Sequence, residues 1–270
     1  MNRRPFWLYT AMVFGYAFLY LPIFSLIVYS FNESRLVTVW GGFSTKWYGE
    51  LLQNEGLLDA AMKSLLVATL AASFSVVLGT LAGLALTRLG RFRGRTMLSL
   101  MTSAPLVMPE VMLGLASLLL FVSMQEVLGW PEGRGLTTIT IAHIVLCMSY
   151  VTVIVQSRLS QLDGSLEEAA MDLGAKPWKV FFLITLPVIA PALIAGWLLA
   201  FTLSLDDVVL ASFTSGPSST TLPMEVYSKV RLGLTPEVNA LATLIIVFVT
   251  LAITLVGWLL HREQASKEKA

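Results

Sequence analysis

Long apolar runs separated by short charged segments fill almost the whole chain. A run of at least about 18 residues without charge reads as a helix crossing a hydrocarbon core roughly 30 Å thick. Five such windows occur, over residues 6–31, 65–87, 136–156, 187–205 and 238–260. A sixth, over 96–125, is interrupted only by Glu110. The pattern predicts an all-α, polytopic membrane protein with six transmembrane helices. Pro22 is expected to bend the first span, and Pro105 with Pro109 to kink the third, since each proline removes a backbone donor.

Composition agrees, with 56% apolar and 13% charged residues, and it leaves no material for a separate soluble core. A net charge of +1 carries no nucleic-acid signal. Cys147 is the single cysteine, so no intrachain disulfide can form. Orientation follows from the placement of Lys and Arg. With the N-terminus inside, inner segments hold Arg3, Arg4, Arg88, Arg91, Arg93, Arg95, Arg158, Lys176, Lys179, Arg262, Lys267 and Lys269, twelve of the 18 basic residues. Both termini and the 158–186 loop therefore face the cytoplasm. The first window is longer than a signal-peptide core and lacks a small-residue cleavage site, so it reads as a retained span.

The resulting organisation is an N-terminal helix (1–31), a periplasmic loop (32–63), a five-helix core (64–261) carrying the inner loop, and a cytoplasmic tail (262–270). Trp40, Trp47 and Tyr48 in the first outer loop suit the membrane–water boundary. The second outer loop, 212–237, contains Gly216-Pro217 and Leu222-Pro223 and reads as a shaped segment.

The inner loop is polar and highly patterned. Ser165-Leu166-Glu167-Glu168 fits a capping box, with Ser165 as cap and Glu168 reaching back. Gly174 would end this short helix in the left-handed conformation. Pro177 would open a second one, where its missing N–H costs nothing. Trp178, Phe181 and Phe182 give the second helix an aromatic side. These rings alone favour a helix lying on lipid headgroups. Two helices around a glycine hinge outside the bilayer imply a docking surface instead.

The spacing Glu168-Ala169-Ala170, three residues, Gly174, nine residues, Ile184-Thr185-Leu186-Pro187 resembles the EAA loop of ABC importer permeases. Further segments resemble polyamine importer permeases, nearest to putrescine importers with spermidine importers next. They are Leu36-Val37-Thr38-Val39-Trp40, Thr45-Lys46-Trp47-Tyr48-Gly49, Ala104-Pro105-Leu106-Val107-Met108-Pro109-Glu110, Ser204-Leu205-Asp206-Asp207, Ser215-Gly216-Pro217 and Pro236-Glu237-Val238-Asn239-Ala240-Leu241-Ala242-Thr243.

The resemblance implies a type I ABC importer permease fold in the bacterial inner membrane. It implies a second, different permease subunit, two copies of a cytoplasmic ATPase and a periplasmic polyamine-binding protein as partners. Glu168, Ala169, Ala170, Gly174, Pro177, Trp178 and Phe181 would then be the ATPase-coupling residues. ATP and Mg²⁺ would sit in the ATPase, with no cofactor in this chain.

An ionisable side chain at the centre of a span costs roughly 3 kcal/mol on insertion scales and is a candidate for function. Glu110 is the acid within a span, about 21 Å from the inner face along a straight helix. Asp206 would lie about 28 Å in. Glu110, Asp206 and Asp207 are therefore the candidate substrate-pathway residues for a cationic cargo. For Glu110 the competing reading is a structural partner to Arg or backbone; for Asp206 and Asp207 it is a solvated helix end. Tyr150, Trp197 and Phe201 could add cation–π attraction, although ordinary packing explains them more simply. His143, without a second ligand nearby in sequence, reads as a hydrogen-bonded packing residue. Gly79 and Gly83 read as a close helix–helix contact. Asn32-Glu33-Ser34 matches a glycosylation sequon by chance.

Several chemistries lack their motifs. There is no Gly-x-x-x-x-Gly-Lys-[Ser/Thr] phosphate loop, no nucleophile elbow and no His-Glu-x-x-His pair. No metal set is visible, and no inverted repeat between the halves supports a secondary transporter. A non-catalytic permease driven by a separate ATPase is the leading expectation. An ATP-independent transporter or channel follows, and a membrane enzyme is a distant third.

Overall fold

The computed structural model describes residues 6–36, 39–232 and 236–267. Arg3, Arg4 and Lys269 of the charge pattern, and Val37 and Thr38 of one quoted segment, lie outside them. In chain order the helices are α1 (Phe6–Tyr29), α2 (Lys46–Gln53), α3 (Glu55–Arg88), α4 (Arg95–Val107), α5 (Glu110–Leu128) and α6 (Leu136–Ser160). They continue with α7 (Ser165–Asp172), α8 (Pro177–Val180), a π-helical turn (Phe181–Thr185), α9 (Leu186–Asp206), α10 (Val209–Thr214), α11 (Leu222–Leu232) and α12 (Pro236–Lys267).

Among the described residues five helical stretches are long and apolar enough to cross a bilayer: Trp7–Tyr29, Glu55–Arg88, Glu110–Leu128, Leu136–Ser160 and Pro177–Asp206. The sixth expected span falls on α12, whose part Pro236–Leu251 is apolar. Pro22 sits inside α1.

The third expected span is not one kinked helix. Met108 is extended (φ −75°, ψ 137°), Pro109 caps the next helix, and the chain restarts as α5 at Glu110. The physical reason is proline's veto on helical geometry in the preceding residue. Pro105, by contrast, is accommodated inside α4. The second span also starts earlier than the apolar pattern suggested, because its first turns, from Glu55, are polar but helical.

The chain divides into two compact units. The first contains residues 1–58 and 228–270. In it α12 packs against both α1 and α2, while the apolar surface of α1 stays exposed. The outer segment is knitted by the fully buried Asn32. Its carboxamide donates to the carbonyls of Leu36 and Val39 and accepts from the N–H groups of Ser34 and Gly41. Trp47 differs from expectation: it is buried, and its indole N–H donates to the Asn32 carbonyl. It anchors this segment and does not float at the lipid boundary, whereas Trp40 is exposed.

The second unit, residues 59–227, is organised around α6, which is buried over more than half of its most apolar stretch. Cys147, Val151, Val155 and Leu159 of α6 pack with Ala72 of α3 and with Ile189 and Ala200 of α9. Helices α3 and α6 touch backbone-close: a Cβ on Gly79 would lie 2.8 Å from the Val151 side chain, and one on Gly83 would lie 2.8 Å from Val155. Gly114 of α5 gives Phe213 of α10 the same allowance. Among the described residues of 212–237, α11 gives the segment its shape, and the Leu222 N–H is held by Ser64 Oγ at 2.7 Å.

Replacing Gly79 with Leu is expected to push α3 off α6 and destabilise the unit by about 1–3 kcal/mol, the usual range for overpacking. Thermal unfolding in detergent measures this, with Gly133→Ala, which meets open space, as the unaffected control.

Candidate coupling loop and polar sites in the spans

The inner loop folds as two short helices, with one change in how the first begins. Ser165 occupies the first helical position, and no side-chain cap comes from it. The capping box is therefore absent. Asp163 replaces it, accepting the Ser165 N–H at 3.0 Å, while the Glu168 N–H donates to the Gly164 carbonyl. A carboxylate two residues ahead reaches the free N–H groups more directly than a hydroxyl already inside the helix. The Ser165 backbone N–H, followed by its hydroxyl, holds the Asp163 carboxyl below the usual carboxylate range.

The end of α7 matches expectation. Gly174 has φ +84°, its N–H donates to the Met171 carbonyl, and the Ala175 N–H donates to the Ala170 carbonyl. These are the two crossed bonds of a Schellman ending, which a left-handed glycine permits. Lys176 is extended, and Pro177 begins α8 at its first position. Leu166, Leu173 and Trp178 are exposed, as is Glu168, while Ala170 and Phe181 are partly covered. Leu173, Gly174, Ala175, Lys176, Trp178 and Lys179 line an open cleft of about 470 Å³. An apolar rim around a polar cleft suits a protein partner.

One residue here escaped the sequence pattern. Glu167, next to the exposed Glu168, turns inward. Its Oε2 lies 3.0 Å from Arg88 Nε at the end of α3, and its Oε1 accepts the Thr185 hydroxyl at 2.7 Å. The signal was present only as composition, an arginine in an inner loop and a second acid beside the motif.

The candidate pathway acids sit at helix ends. Glu110 is exposed in the first turn of α5, where a negative charge is favoured by the helix dipole. Asp206 ends α9 and is exposed. Asp207 is buried, and its Oδ1 accepts the Ala211 N–H of α10 at 2.8 Å. The same oxygen lies 3.5 Å from His143 Nε2, while His143 Nδ1 and Ser204 Oγ are 2.7 Å apart. His143 thus packs and hydrogen-bonds as expected, in a buried polar group linking α6 to the end of α9. Trp197 stacks on Phe201 with centroids 5.2 Å apart and donates to Ser73 Oγ, and Tyr150 packs beside Phe121 and Leu146. The structure brings Asp207, His143 and Ser204 together. Glu110 belongs to a different helix, α5, which packs directly on the α10 that Asp207 caps. Among the described residues no group of three or more His, Cys, Asp or Glu could hold a metal.

Residues 75–265 match the family of binding-protein-dependent transport system inner membrane components. The chain belongs to this family. Such permeases are non-catalytic, multi-pass proteins of the inner membrane, and the matched region takes in the inner loop and the polar sites above. The putrescine transport system permease protein PotI of Escherichia coli (strain K12) is 54% identical over 273 residues, covering 100% of this chain and 96% of that protein. The spermidine/putrescine transport system permease protein PotC of the same strain is 43% identical, covering 92% and 91%. In fold, the chain is similar to a bacterial ABC transporter that imports the polysaccharide alginate, with TM-score 0.73 and 18% identity, covering 95% of this chain and 98% of that one. It is also similar to the MetNI methionine ABC transporter, with TM-score 0.60 and 17% identity, covering 76% and 94%.

The Asp163 cap sets a pH limit for the permease loop. A depressed carboxyl pKa contributes order above the unfolded value of about 3.9, and that order is lost as pH falls through the lower folded value. Spin-label mobility on α7 should therefore stay constant from pH 8 to 5 and rise only under stronger acid. Asp163→Ala should make the label mobile throughout.

Proposed function

We propose that this chain is a permease subunit of an ATP-driven importer that carries putrescine from periplasm to cytoplasm. The observation that supports the cargo most strongly is the full-length likeness to PotI. Its partners in this reading are a second, unlike permease, two copies of a cytoplasmic ATPase and a periplasmic polyamine-binding protein. ATP and Mg²⁺ bind in the ATPase.

The α7–α8 knuckle is the ATPase's docking surface: Glu168, Ala169, Ala170, Gly174, Pro177, Trp178 and Phe181 shape or line it. Its movement turns the attached α6 and α9. Replacing Gly174 with Asp puts a charged side chain on a left-handed residue in the middle of that surface. Proteoliposomes containing the whole importer should then hydrolyse ATP without uptake. Unchanged uptake would contradict the docking assignment.

Glu110, Asp206 and Asp207 serve the cation. A diammonium cargo entering the spans needs carboxylates to replace its hydration, and methylenes between the charges need apolar walls. Spermidine is the second reading, favoured by the likeness to PotC. Glu110→Gln should lower putrescine uptake about ten-fold, the low end for losing a hydrogen bond to a charged group, without disturbing assembly. Uptake by the same preparation in competition with spermidine separates the two cargoes. Normal kinetics in the variant would remove Glu110 from the pathway.

A further inference from the structure

We infer that Arg88, Glu167 and Thr185 form a clamp through which the docking helix drives α3 as well as the helices it is covalently joined to. The inference rests on the docking role proposed for the loop and adds positioning residues outside its exposed surface.

Each oxygen of the Glu167 carboxylate is taken by a different element. Arg88, the last residue of α3, approaches one to 3.0 Å, and Thr185, the last residue of the π-helical turn, donates to the other at 2.7 Å. The three side chains are largely sheltered: Thr185 is buried, and the Glu167 and Arg88 side chains are 17% and 29% exposed. Glu168, one position on, is exposed. Two adjacent acids on one short helix thus have different surroundings, one exposed and one held against the ends of α3 and the π-helical turn.

Arg88 is presented by a held turn. The Arg95 guanidinium donates to the carbonyls of Leu86 and Gly90, tying the end of α3 to the start of α4. Above this, α3 lies backbone-close on α6 through Gly79 and Gly83. Displacement at the inner end of α3 is therefore passed to the α3–α6 pair without slack. The covalent route from α7 back to α6 runs through residues 161–164, a turn and bend held to α6 by the N–H groups of Gln161 and Leu162, which donate to the carbonyls of Arg158 and Leu159. The charge-assisted bond from Glu167 to Arg88, stronger than a neutral one, adds a second and direct link from α7 to α3. A largely sheltered ion pair contributes little net stability compared with apolar packing of the same volume, so stability alone does not account for this one. Thr185 closes a π turn, an irregularity frequent at functional sites in helices.

The test uses the complete importer in proteoliposomes and reads labelled putrescine taken up per ATP hydrolysed, with co-purification of the subunits as the assembly measure. Glu167→Gln and Arg88→Gln should each lower that ratio about ten-fold while the subunits still co-purify, the range expected for losing one charge-assisted bond. The paired exchange Arg88→Glu with Glu167→Arg should recover a substantial part of it. Thr185→Val, which spares the ion pair, should give a smaller loss in the same direction. Uptake and hydrolysis falling in equal proportion, or no recovery in the paired exchange, would overturn the clamp as a coupling element. Loss of assembly in all three single variants would overturn it as well, reducing it to a structural support. If Gly174→Asp uncouples and the Glu167 and Arg88 variants do not, the clamp alone fails. If Gly174→Asp has no effect, the docking role itself fails.

Discussion

A backbone inside hydrocarbon must satisfy its own hydrogen bonds, and this one constraint accounts for where the chain can do anything but span. Among the described residues long helices meet most of the demand, and three interruptions carry polar chemistry. At Met108-Pro109 the helix breaks and Glu110 begins the next one. After Asp206 the chain turns, and the Asp207 carboxylate takes up an N–H that the turn frees. At Phe181–Thr185 the helix widens to a π turn, and the hydroxyl at its end reaches Glu167. Polar side chains are costly in such a chain, so they collect where the backbone already needs them.

The same economy explains the unequal burial of the helices. Helix α6 lies at the centre of its unit, with glycines on α3 letting two backbones meet and small or β-branched residues filling the seam to α9. In the other unit, α1 leaves its apolar surface exposed, as lipid or a partner subunit permits. A permease of this family works with other components, and the inner knuckle offers the exposed apolar residues that such an assembly would cover.

Much of this is legible in the sequence itself. Spans follow from charge-free length, and the ends of the loop helices follow from two residues with narrow conformational habits. Gly174 takes the left-handed angle and Pro177 the first helical position, because few alternatives exist for either. The misreadings occur where two local rules compete. Ser165 and Asp163 could each cap α7, and only the path of the chain decides for Asp163. Pro109 could kink or break a helix, and the extended Met108 before it makes the break. Trp47 has the chemistry of a boundary residue, yet a carbonyl on a distant turn claims its indole N–H. The Arg88–Glu167 contact and the His143–Asp207–Ser204 group were invisible for a simpler reason: tertiary pairs leave no periodic trace in a single sequence.

The proposed function makes one mechanical demand: the spans should move cargo only when work arrives at the inner knuckle from a nucleotide-hydrolysing partner. The most direct measurement is the initial rate of putrescine uptake into sealed vesicles containing both permeases and the binding protein, with ATP inside, compared with and without the ATPase subunits. The account predicts uptake against a gradient only when the ATPase is present. Equal accumulation in its absence would contradict it.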